Sequence, residues 1–207
     1  MSLLELFLLG GVNFSRNLIG IIFRPYETYR RIARESGYTE LVYIGLLLTV
    51  YFAIASLVKT ATFRPFLLTA TFVKLSSSAG IGFVLVVMTF FVVSKFIVNT
   101  VNFKSLLVSW AYTLIPTLIW FLATSVLYLI LPPPRTASVA GITFSLVFII
   151  FSVTLLFWKI ILSYLTLRFG LRLEITKILI VTLISLPFVA LYSLGMYRLG
   201  IFKVPFL

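Results

Sequence analysis

Five apolar runs, each about as long as a bilayer-crossing helix and separated by short polar stretches, constrain this chain more than any other feature. They cover roughly residues 41–58, 80–98, 106–131, 140–160 and 175–194. At 1.5 Å of rise per residue, about 20 apolar residues in a helix cross a hydrocarbon core ~30 Å thick. A large soluble core is excluded by composition: 61% of the 207 residues are hydrophobic, and mean hydropathy is +1.18, far from the balance of soluble domains. A transmembrane β-barrel would need short alternating segments, and a run such as "SLVFIIFSVTLLFW" does not alternate. The expected fold is therefore all-α, a polytopic integral membrane bundle of five transmembrane helices at 41–200. An N-terminal segment, 1–40, precedes it. Residues 59–79 read as a loop, and "LPPPRTAS" at 131–138 reads as a stiff polyproline spacer.

The first 23 residues have neither a basic leader nor a small-residue cleavage pattern, so they do not read as a signal peptide. On a helical wheel Ser2, Glu5, Asn13 and Arg16 gather on one side, and Leu3, Leu4, Phe7, Phe14, Leu18 and Ile22 spread over the other. That is the pattern of an amphipathic helix lying in the headgroup plane. A sixth, re-entrant span is the alternative, and it would bury the polar cluster at 13–17 in mid-membrane.

"FRPYETYRRIARESGYTE" follows. Pro25 suits a first helical turn, Glu27 sits near the positive end of the dipole, and Arg30, Arg31 and Arg34 lie toward the negative end. Tyr26, Tyr29 and Ile32 share one face, and the three arginines share the opposite one. A basic surface helix of this kind draws anionic lipid or an acidic partner, at about 1 kcal/mol per basic residue near an anionic membrane. Ordinary positive-inside flanking of the first span accounts for the same arginines without a ligand.

Missing residue types remove most chemistry. The chain has no Cys, His, Asp or Gln, and its acids are Glu5, Glu27, Glu35, Glu40 and Glu174. Zinc and iron sites, aspartyl and His-based nucleophilic centres, and paired-carboxylate hydrolysis all lack their groups. Ser–Lys pairs exist at Ser94/Lys95 and Lys159/Ser163, but serine is common in membrane helices for structural reasons. The expectation is a non-enzyme without metal or cofactor.

The net charge of +12 first reports membrane orientation and not nucleic-acid binding. With the N-terminus inside, the inner segments hold ten Lys and Arg residues and the outer segments six, with Lys159 uncounted at a span end. The bias places the N-terminus in the cytoplasm and the C-terminus outside.

Two inner hairpins are alike. The second span ends in "SKFIVNTVNFKS", carrying Lys95, Asn99 and Lys104, and leads to a span with Pro116. The fourth ends in "WKIILSYLTLRFGLRLEITK", carrying Lys159, Tyr164, Arg168 and Arg172, and leads to a span with Pro187. Each proline removes a helical hydrogen bond and frees a carbonyl four residues back, on Tyr112 and Leu183. In lipid such a carbonyl must be satisfied inside the bundle. Lys95 and Lys159 lie at comparable depth and would line a cavity for a lipid phosphate or another anion. Snorkelling to the headgroups is the competing reading.

"FRPYETYRRIA", "FKSLLVSWAYTLIP" and "WKIILSYLTLRFGLRLEITKILIV" together resemble the Yip domain, the five-span module of the Ypt/Rab-interacting membrane proteins, over roughly residues 23–197. The family's Gly-Tyr-x-x-x-Pro pattern is matched by Tyr112 and Pro116, with Ala111 in the glycine position. In eukaryotic members the resemblance implies GTPase recruitment through a long N-terminal region with an Asp-Leu-Tyr-Gly-Pro motif. This chain has no Asp and is more similar to the compact prokaryotic branch, which implies a cytoplasmic-membrane protein and no catalytic residue. The expected function is a scaffold or adaptor whose cytoplasmic basic face meets anionic lipids or a membrane protein partner, a second copy of the chain included. A small transporter, channel or lipid-moving protein with a cavity near Lys95 and Lys159 is the alternative.

Overall fold

The computed structural model describes residues 3–35, 37–60, 64–98, 101–130 and 139–201. The 131–138 spacer and Asn99 lie outside them. Among the described residues eight α-helices follow in order: α1 (Leu3–Phe23), α2 (Pro25–Glu35), α3 (Thr39–Thr60), α4 (Pro65–Ile97), α5 (Phe103–Tyr112), α6 (Leu114–Ile130), α7 (Val139–Leu165) and α8 (Ile175–Arg198). A π turn, Thr166–Gly170, continues α7. No strand occurs among the described residues. Five segments are long and apolar enough to cross a membrane: Thr39–Val58, Pro65–Ile97, Phe103–Leu127, Gly141–Gly170 and Ile175–Arg198.

Residues 65–79 correct the expected loop. They form the first half of α4, within which Ser76, Ser77 and Ser78 donate their hydroxyls to the carbonyls of Phe72, Val73 and Lys74. Serines that bond back in this way leave no polar group unpaired in a helix. At 33 residues, α4 is ~50 Å long, so it tilts or extends past the hydrocarbon core.

The two prolines behave differently. Thr113 separates α5 from α6, its amide and hydroxyl both bonding the Trp110 carbonyl at 3.0 and 2.7 Å. Pro116 falls in the first turn of α6, where a missing amide proton leaves no gap in the ladder, and both Tyr112 and Pro116 are buried. Pro187 lies inside an unbroken α8 on its exposed face, and Leu183 is exposed with it. The last span thus does not turn its proline inward, contrary to the sequence expectation.

Pro25 has no proton for the Ile21 carbonyl, and the chain folds back between α1 and α2. A Cβ on Gly20 would collide with the Thr28 hydroxyl, although a straight helix would hold these residues ~12 Å apart. Phe7, Gly10, Phe14 and Asn17 of α1, ~15 Å of helix, all meet α3 within Thr39, Glu40 and Tyr43. α1 therefore crosses the start of α3 steeply and lies over one end of the bundle.

Among the described residues, that end holds the largest buried cluster: Phe14 and Ile21 of α1, Tyr29 and Ile32 of α2, Ile44, Val108, Ala111, Tyr112, Ile115, Leu162 and Leu165. A second cluster joins α4, α5, the π turn and α8 through Val87, Phe90, Leu106, Leu167, Leu171 and Val181. The outward faces of the spans remain apolar and exposed, as on Leu146, Ile150 and Phe157 of α7.

Candidate functional site

Four polar side chains from four helices meet under α2. The Asn17 amide donates to a Glu40 carboxylate oxygen at 2.8 Å, and the Tyr112 hydroxyl donates to the same oxygen. Arg31 donates to the Asn17 carbonyl oxygen from Nη2 at 2.8 Å and from Nε at 3.2 Å. Glu40 is 1% exposed, Asn17 2% and Tyr112 not at all. An isolated carboxylate at such depth is very unfavourable. Here it has two donors, a guanidinium one residue away through Asn17, and the positive end of the α3 dipole beneath it.

This network fixes α2 against the ends of the spans. The Ser105 hydroxyl adds a bond to the Ala33 carbonyl at 3.1 Å, and the Thr166 hydroxyl bonds the Leu162 and Ser109 carbonyls at 3.0 and 3.3 Å. Both α2 and the π turn are thereby tied to α5. The Tyr29 hydroxyl is buried beside Thr166 without a well-formed hydrogen bond, and burial pushes its pKa well above the usual phenol range.

Between α2 and the π turn lies a cleft of about 340 Å³, lined by Arg30, Ala33, Arg34, Arg168, Phe169 and Arg172. Arg30 and Arg34 are one turn apart on α2, and Arg168 and Arg172, also four positions apart in sequence, lie in the π turn and two residues past its end. The backbone delivers the second pair by irregular means. Arg168 sits in the π turn, and Arg172 takes φ 54°, a left-handed conformation unfavourable for a residue with a Cβ. Its neighbours Leu171 and Leu173 are buried, which holds the strained link while the Arg172 side chain stays exposed. None of the four arginines has a hydrogen bond or ion pair among the described residues. Tyr26 packs edge-on against Phe169, a residue of the cleft wall, at 4.9 Å.

The structure divides the residues that the sequence singled out. Arg30, Arg34, Arg168 and Arg172 come together in the cleft; Arg31 does not, because it turns back to Asn17. The three arginines of α2 thus do not share one basic face. Lys95 is exposed on α4, Lys159 is half-buried on α7, and neither lines the cleft. Lys104 is exposed at the start of α5 with its ammonium 5.4 Å from the Tyr38 ring. Tyr164 packs between the two larger apolar clusters.

The sequence profile of the Yip1 domain matches residues 19–197. The chain belongs to the Yip1 domain family. No protein of curated function and no solved structure matches it. Within this Yip1 domain the matched stretch opens in α1, two residues after Asn17, and runs through α2 and all five spans. The Tyr112 and Pro116 motif serves two tasks there: Pro116 starts α6, and Tyr112 binds Glu40.

Sequence reasoning missed Asn17 and Glu40 as partners. A signal existed for each. Asn17 lies three residues after Phe14 and four before Ile21, so it interrupts a buried apolar stripe. Glu40 is the acid in the first turn of the first span, where a buried carboxylate requires donors.

Proposed function

We propose that this Yip1-domain protein is a non-enzymatic membrane adaptor, oriented with its N-terminus in the cytoplasm, whose basic end engages anionic lipids or an acidic partner. Residues 1–40 act as its membrane-surface segment. The observation that carries this reading is α2 itself, laid over the span ends and anchored by Glu40, Asn17 and Tyr112, so that Arg30 and Arg34 stand against Arg168 and Arg172. Converging guanidiniums without acids favour an anionic contact. The transport alternative depends on a cavity at Lys95 and Lys159, and neither residue lines the cleft.

Photo-crosslinking from α2 in intact cells, followed by mass spectrometry of attached lipids and proteins, tests the reading. Recovery of anionic lipids or one acidic partner supports it. Attachment to neutral lipid alone, with transbilayer flux in reconstituted vesicles, overturns it.

A further inference from the structure

The geometry points to the cleft between α2 and the π turn as a discrete site for a lipid phosphomonoester, a headgroup whose terminal phosphate carries close to two negative charges. This deepens the adaptor reading and rests on it in one respect: the basic end must lie at the headgroup level.

Three features separate a built site from a diffuse positive surface. The first is convergence: four arginines, two from α2 and two from the π turn and the link just after it, line one cavity of about 340 Å³, at the lower end of the size of small-ligand pockets. Two arginines on one helix face would be ordinary flanking charge. The second is the absence of competition among the described residues. Glu27 of α2 pairs with Arg24 at 3.7 Å, Glu35 at the end of α2 makes no ion pair with a described arginine, and no carboxylate lines the cleft. The Ala33 carbonyl, an acceptor that would repel an anion, already receives the Ser105 hydroxyl. The third is the backbone. A π turn and a left-handed Arg172 are both unfavourable locally, and together they bring Arg168 and Arg172 to the cleft wall.

Ligand class follows from donor chemistry. Guanidinium forks bind the oxygens of a phosphate in pairs, and the four positive charges here far exceed the single negative charge of a phosphodiester. A terminal phosphomonoester offers three non-bridging oxygens and greater charge. The source is a lipid because the wall bearing Arg168 continues directly from membrane-spanning α7, which sets the cleft beside the headgroups. Ala33 and Phe169 supply an apolar edge against which a glycerol backbone can rest.

The test uses the full-length protein in phosphatidylcholine nanodiscs doped with either phosphatidic acid, a phosphomonoester, or phosphatidylglycerol, a monoanionic diester. Bound anionic lipid is counted by native mass spectrometry. Arg168→Gln/Arg172→Gln is compared with Arg16→Gln/Arg24→Gln, which loses the same charge outside the cleft, and melting temperature confirms that both variants are folded. The expected result is one saturable phosphatidic acid per chain, bound roughly tenfold more weakly by the cleft variant and unchanged in the control, with phosphatidylglycerol weak throughout. Arg168→Lys/Arg172→Lys, which keeps the charge but loses the forks, should lose the preference for phosphatidic acid.

Equal binding of both lipids, lowered alike in both Gln variants, overturns the discrete site and leaves the adaptor reading standing. Absence of any anionic-lipid retention by the wild type overturns the site and the lipid arm of the adaptor reading together. Displacement of phosphatidic acid by glycerol phosphate at equal concentration overturns the lipid source in favour of a soluble phosphate.

Discussion

The Tyr112 hydroxyl donates to the buried Glu40 carboxylate, joining residues 72 positions apart and holding the first and third spans together beneath α2. Asn17 gives the same oxygen its second donor, so loss of either partner leaves a buried acceptor short of a bond. Tyr112→Phe should destabilise the protein by about 1–3 kcal/mol, measured by denaturant unfolding in detergent. Asn17→Ala should do the same, and the double variant should lose less than the sum, since both act on one carboxylate. Strict additivity would show that the two bonds are independent.

Gly20 should tolerate no side chain. A Cβ there meets the Thr28 hydroxyl, and the turn between α1 and α2 has no slack because Pro25 fixes it. Gly20→Ala is expected to lower stability by roughly 1–3 kcal/mol, with Gly20→Ala/Thr28→Ala recovering part of the loss. Equal melting temperatures for wild type and Gly20→Ala would refute the close approach.

How much of this was legible beforehand differs from element to element. The spans were, because about 20 consecutive apolar residues have one physical solution in lipid. The first half of α4 was not: Ser76, Ser77 and Ser78 suggest a loop until their hydroxyls are seen to bond within the helix. Arg30, Arg34, Arg168 and Arg172 were each recognisable as basic and surface-seeking. Their meeting was not, since it depends on the fold-back at Pro25 and on the π turn, which leave no periodic trace. Arg31 shows the limit most plainly, because its side chain departs from its helical neighbours to reach a residue 14 positions earlier.

Tyr29 gives the protein a pH dependence with a definite sign. Burial holds its hydroxyl proton more tightly in the folded than in the unfolded state. Stability is therefore flat below the ordinary phenol pKa of about 10 and falls as pH rises above it, where only the unfolded chain ionises. Tyr29→Phe should be nearly neutral at pH 7, the hydroxyl being without a well-formed bond, and its stability relative to wild type should grow above about pH 10. Parallel pH profiles for the two proteins would contradict this.

Orientation can be read on the natural background, which has no cysteine. Tyr38 and Val139 are both exposed, at opposite ends of the spans. In intact cells an impermeant maleimide should label Val139→Cys at once and Tyr38→Cys only after permeabilisation. The reverse pattern would invert the topology and put the basic cleft outside.

The most direct test is whether α2 and the π turn face each other across one cleft in a membrane. Ala33→Cys/Phe169→Cys places thiols on opposite walls and keeps all four arginines. A short bismaleimide should join them within a single chain in native membranes, producing a fast-migrating band that vanishes when Tyr112→Phe/Asn17→Ala releases α2. Crosslinks only between chains, or none in folded wild-type background, would mean that the arginines of α2 never meet Arg168 and Arg172.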